Sequence, residues 1–144
     1  MNLFGTIFTI SIFMPEFMER VKTRTAEIWK DENDIFWIKL LPDVEIDLED
    51  IIDNVLVARN ITGGKAVLKI VDSRSNWTMT NEAEIYFKKE DTPEKTIARA
   101  VLINSVMDKL IKRFLLALLK PEVPLKFFTS EAEAVKWLLS FKAS

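Results

Sequence analysis

The residues predict an α/β domain built on a mixed, mainly parallel sheet with helices on both faces, in the order β-β-α-β-α-β-α-β-α. Three observations lead there. "KAVLKIV" and "IARAVLIN" are nearly apolar on both faces, as strands are when helices cover both sides of a sheet. Amphipathic helical stretches alternate with such strand-like runs, the pattern of parallel crossover units. Two β-prone runs flank the turn-forming Asp31-Glu32-Asn33-Asp34, which reads as an antiparallel hairpin.

Each element has its own reason. In "TAEIWKDENDIFWIKLLP" the second run, Ile35 to Leu41, is apolar enough to be covered, and Pro42 ends it. In "EIDLEDIIDNVLVARNITGGK", Leu48, Ile51, Ile52, Val55 and Leu56 form one helical stripe. Asp47 suits its N-cap, the following acids suit the dipole as a solvated helix start, and Gly63-Gly64 stop it. Ala66–Val71 and Ala98–Ile103 are the buried strands. Between them Asn81 to Glu90 predicts a shorter helix with Ala83, Tyr86 and Phe87 inward, closed by Thr92-Pro93. "NSVMDKLIKRFLLALLKPEVP" predicts a helix with a core stripe from Met107 to Leu118. Leu125–Phe128 is a short strand. "SEAEAVKWLLSF" is a last helix, with Ser130 and Glu133 at capping-box spacing and Val135, Leu138 and Leu139 inward.

The 144 residues suit one domain with a single core, here 19–144, preceded by an apolar extension, 1–18. That extension lacks a basic n-region and cleavage site, and its apolar run is shorter than the about 20 residues of a spanning helix. Alternation at Phe8, Ile10 and Ile12 favours a strand over a short helix. Met14 and Met18 offer alternative starts.

Absences narrow the chemistry. The chain has no Cys and no His, which excludes disulfides, thiolate nucleophiles, Ser-His triads and most transition-metal sites. Three glycines cannot build a phosphate-cradling loop. The formal charge of -2 comes with scattered Lys and Arg, so no nucleic-acid partner is expected. The expectation is a cytoplasmic, non-catalytic protein with no cofactor and no metal.

Two stretches carry a resemblance. "VDSRSNWTMTNEAEIYF" is similar to an Asp-x-Arg strand end followed by Met-Thr-x-Glu-Ala at a helix start. "AVLINSVMDKLIKRFLLALLKPEVPLKFFTSEAEAVKWL" is similar to Asn-Ser, an apolar helix, Lys-Pro-x-x-Pro, a Phe-containing strand and a closing Ala-x-x-Trp-Leu. Together they resemble the STAS-like, or SpoIIAA-like, small bacterial proteins over roughly Glu19 to Phe141. The resemblance implies a STAS-like fold. In the related antagonists a Ser or Thr at the start of the helix after the central strand is phosphorylated. The nearest position is Thr80, in Thr78-Met79-Thr80-Asn81, which lacks the usual Asp-Ser-Ser-Gly-like step. A plain N-cap role for Thr80 or Asn81 competes with it.

Ligands of open α/β sheets bind beyond the carboxyl ends of the strands. Asp72, Arg74, Ser75, Asn104 and Ser105 fall at such ends, before helix N-termini that favour anions. Capping and a local Asp72–Arg74 ion pair are the plainer roles. The first functional expectation is a STAS-like interaction or regulatory module with an unknown protein partner. The alternative is a small apolar-ligand or lipid-binding protein of CRAL-TRIO type. A deep apolar cavity favours the second; a solid core with an outer apolar patch favours the first. Leu116 and Leu119 fall outside the stripe of their helix, so with Phe8, Ile10 and Ile12 they suggest a homodimer interface.

Overall fold

The computed structural model describes residues 19–90, 92–105 and 122–143. In chain order the described elements are β1 (Val21–Lys22), β2 (Ala26–Lys30), β3 (Ile35–Leu40), β4 (Val44–Ile46), α1 (Leu48–Thr62), β5 (Val67–Asp72), β6 (Trp77–Met79), α2 (Asn81–Glu90), β7 (Thr96–Leu102), β8 (Leu125–Phe128) and α3 (Glu131–Leu139). A 3-10 turn, Ser140–Ala143, closes the series. The predicted helix at 106–121 and the interface candidates Phe8, Ile10, Ile12, Leu116 and Leu119 lie outside the described residues.

One six-stranded sheet runs in the order β1-β2-β3-β5-β7-β8. β1, β2 and β3 are antiparallel neighbours, and β3, β5, β7 and β8 are parallel. The mixed, mainly parallel sheet predicted from the residues is therefore the one observed. The hairpin is set by Asp31. Its carboxylate accepts the N–H groups of Asn33 at 2.8 Å and Ile35 at 3.0 Å, and the Trp37 indole N–H at 2.8 Å. Asp34 takes a left-handed φ of 63°, which Asp tolerates better than most residues. Trp29 and Trp37 face each other in register and stack at 5.3 Å with planes 10° apart.

Strand alternation divides the core into two layers. On one face Trp29, Ile35, Trp37, Leu68, Ile70, Ala98, Ala100, Leu102 and Phe128 pack under Ala134 and Leu138 of α3. On the other, Ala26, Ile28, Phe36 and Leu40 pack against Ile51 of α1 and Ala83 of α2. Helices thus cover both faces, as expected.

Three local expectations change. The acidic start of α1 is not simply solvated. Asp47 caps the helix and forms a reciprocal capping box with Asp50, each carboxylate accepting the other's N–H at 2.9 Å. Asp50 is buried and also binds the Arg24 guanidinium. The inward stripe of α1 is also rotated. Leu56 is 56% exposed, while Ile51 and Asn54 are buried and Val55 and Ala58 pack inward. The cause is a polar clasp: Thr23 Oγ1 donates to Asn54 Oδ1 at 2.7 Å, and Asn54 Nδ2 donates to Thr25 Oγ1 at 3.1 Å. Burying Asn54 on these partners turns Leu56 outward. Thirdly, β4 and β6 pair in parallel as a separate two-stranded sheet. Each is only three residues long, too short for alternation to declare it.

Candidate functional site

The polar residues singled out at the strand ends do converge, but on one another. Asp72, at the end of β5 and 4% exposed, receives Arg74 bidentately, Nε and Nη2 each at 2.8 Å. Arg74 Nη2 also reaches Glu131 of α3 at 2.7 Å, and Asn104 Nδ2 donates to the Arg74 carbonyl at 2.7 Å. Ser73 Oγ donates to Leu102 O at 2.8 Å, and Ser75 Oγ to Leu40 O at 2.8 Å. The network ties β5 to its neighbours β3 and β7 and to the start of α3. The loop after Asp72 leads into β6, not directly into a helix, so Asp72, Arg74 and Ser75 do not lead straight into a helix of their own. Thr80 stands apart, after β6, where its Oγ1 accepts the Ala83 N–H at 3.3 Å and its carbonyl accepts the Glu84 N–H at 3.0 Å. That is the geometry of the α2 N-cap. Ser105 is half-buried.

Among the described residues, three carboxyl groups are held below their usual range. For Asp50 the main cause is the Arg24 hydrogen bond. For Asp72 and Glu90 burial alone pushes upward, but Arg74 and Lys95 respectively, with neighbouring charges, outweigh it. Between a lowered folded value and the ordinary 3.8 of Asp or 4.5 of Glu, the unfolded chain binds more protons. Stability from these groups is therefore complete above the ordinary values and lost as pH falls through the folded ones. Thermal melts are expected to be level from pH 7 to pH 5 and to drop steadily toward pH 2. Asp72→Asn, which cannot ionise, should melt lower at pH 7 and lose less on acidification. An acid loss equal to that of the parent chain would contradict the assignment.

A concave feature of the fold lies elsewhere. A cavity of about 370 Å³ opens between the inner sheet face and helices α1 and α2. Phe36, Ile38 and Leu40 of β3 and Val71 of β5 form its apolar floor. Val55 and Ala58 of α1 form one wall and Phe87 of α2 another. Ile46, Trp77 and Met79, from the small sheet, close the end beyond the strand C-termini.

The opposite end is charged. Arg59 in the last turn of α1, Lys65 after the Gly63 cap, Glu90 at the end of α2 and Lys95 before β7 rim it. Glu90 is shared: Lys95 Nζ binds one oxygen, and Arg59 Nη2 lies 3.4 Å from both. Lys69 and Arg99 also line the cavity. They are adjacent in register on β5 and β7, in the same row as Phe36. Arg99 is 2% exposed, and its guanidinium lies 5.2 Å from the Phe87 ring centroid.

No cavity residue was singled out as a site in the sequence, where Phe36, Ile38, Val55 and Phe87 read as ordinary core. A signal was nonetheless present. Lys69 and Arg99 sit mid-strand in runs otherwise apolar on that face, where a filled core would place Val or Ile.

Among solved structures, the chain is similar to an uncharacterized protein of the DUF3478 family with a SpoIIAA-like fold from Shewanella loihica PV-4. The identity is 15% and the TM-score 0.57, and the match covers 82% of this chain and 98% of that one. This likeness establishes the fold as STAS-like, of SpoIIAA-like type, in agreement with the observed sheet. No curated protein matches the chain. Among the described residues, no helix is long and apolar enough to cross a membrane. A family model for a domain of unknown function matches residues 28–142, most of the sheet and all three described helices, and the chain therefore belongs to the DUF7793 family.

Proposed function

We propose that this chain is a non-catalytic binding module that holds a small molecule with an apolar body in the cavity beneath α1 and α2. The observation that carries this reading is the cavity itself. Its volume of about 370 Å³ lies in the range of small-molecule sites, about 300–1,000 Å³. It also has their usual composition, apolar walls with few polar groups at one end. A module acting only through its outer surface would have no need of such a space, and an unfilled apolar cavity costs stability, about 24 cal/mol per Å³ in the best-studied series.

The lining argues for binding without chemistry. With no His or Cys in the chain, a general base would have to be a carboxylate, a lysine or a tyrosine. Glu90 is the carboxylate among the described lining residues. Lys95 and Arg59 keep it ionised and low in pKa, which makes it a weak base and no acid near neutral pH.

The test uses the full chain. Native mass spectrometry should show a retained small-molecule mass, or, after stripping, saturable uptake of one dodecanol per chain. Trp77 lines the cavity, so its fluorescence should follow the titration. Absence of any retained mass together with no dodecanol binding up to its solubility limit would sink the reading.

A further inference from the structure

The charged end of the cavity identifies the kind of molecule that fits, given the binding reading above. From the shape and polarity of the cavity we infer that its ligand is an anionic amphiphile, an apolar chain or ring carrying one acidic head, with the head seated at the Lys65 end.

Two independent placements support this. The first is the rim. Arg59, Lys65 and Lys95 surround a single carboxylate, Glu90, among the described lining residues. Glu90 is already shared between Arg59 and Lys95, while Lys65 is exposed and forms no ion pair among the described residues. Arg59 lies in the last turn of α1, where the macrodipole welcomes a cation without any ligand. Lys65 lies beyond the Gly63 cap and is not explained that way.

The second placement is the floor. Lys69 and Arg99 stand side by side on neighbouring parallel strands, about 4.8 Å apart. Like charges directly opposite on a sheet are destabilising, and strands lack the net dipole that would reward cations. Both residues also have interactions within the protein. Two cations beside the apolar floor raise the local potential toward an anion. The polarity is ordered along the cavity. Apolar Ile46, Trp77 and Met79 lie at one end and the basic rim at the other. A neutral oil would use only the first end, and a free inorganic anion only the second. A molecule with both parts uses the whole length.

The experiment compares three ligands of equal chain length, dodecanoate, dodecyl phosphate and dodecanol, on the full chain by calorimetry at low and high salt. The two anions are expected to bind at least about tenfold more tightly than the alcohol at low salt, equivalent to about 1.4 kcal/mol. High salt should erode that preference because the rim is open to solvent. Preference for dodecanoate alone or dodecyl phosphate alone still supports an acidic head and says which one fits. Lys65→Met, at an exposed position, and Lys69→Met should each reduce anion affinity by about fivefold relative to dodecanol affinity in the same variant. Equal affinity for all three ligands would overturn the head-group inference while leaving the cavity reading intact. No binding of any of them would overturn both. Unchanged anion affinity in both variants would show that the basic end is not the head site.

Discussion

Trp37→Ala is expected to destabilise the chain by about 4 kcal/mol, near the top of the range for a buried aromatic. Trp37 occupies β3, the strand that joins the antiparallel hairpin to the parallel part of the sheet. It is 8% exposed and packs in the layer with Ile35, Leu68 and Ile70. Its ring stacks on Trp29 at 5.3 Å, and its indole N–H satisfies the Asp31 carboxylate that organises the hairpin turn. Truncation therefore opens a void, removes an aromatic pair and leaves Asp31 one donor short. Trp37→Phe keeps a ring but loses the hydrogen bond, at about 1–2 kcal/mol. Urea unfolding of the three chains should rank them in that order, with an unchanged slope. A loss below about 1.5 kcal/mol for Trp37→Ala would mean that the two tryptophans do not pack as described.

Ala58→Phe is expected to abolish binding in the cavity, lowering dodecanol affinity by more than tenfold, while the chain stays folded. Ala58 lies on the inward stripe of α1 and lines the cavity. A ring at that position occupies space the ligand would use. Overpacking a filled core costs about 1–3 kcal/mol, but here an open space is available, so the change in stability should stay within about 1 kcal/mol. Leu56→Phe is the control, since Leu56 is on the same helix but exposed, and it should bind as the parent does. A stable Ala58→Phe chain that still binds dodecanol normally would place the ligand elsewhere.

The sheet was legible because its signals are local. Apolarity on both faces of "KAVLKIV" and "IARAVLIN", and turn chemistry at Asp31–Asp34, depend only on neighbours in the chain. The order of strands then follows from the few connections that α/β units permit. The helix of Leu48–Thr62 was legible for the same reason, down to its caps at Asp47 and Gly63. Its rotation was not. The stripe through Leu56 and the stripe through Ala58 share Ile51 and Val55 and differ by only about a quarter turn of helix, and both contain enough apolar residues to pass as the core face. The bonds from Thr23 and Thr25 to Asn54 decided between them, and those partners are 31 and 29 residues apart in sequence.

The candidate sites divide the same way. Asp72 and Arg74 were correctly read as a possible local ion pair, because two residues apart they could hardly avoid each other. That the pair would extend to Glu131 and Asn104 depends on how β5, β7 and α3 come together. Apart from the mid-strand Lys69 and Arg99, the cavity left no mark in the sequence. Each of its walls, taken alone, looks like an ordinary buried face, since periodicity reports which side of an element is apolar and not whether the opposing side chains meet. The chain by itself therefore determined the main strands and helices, the mixed and mainly parallel character of the sheet, and the exclusion of His- and Cys-based chemistry. Only the tertiary structure decided that β3, α1, α2 and the small β4–β6 sheet stop short of filling the space between them. Packing density is a property of elements that meet across the fold, and no single segment carries it.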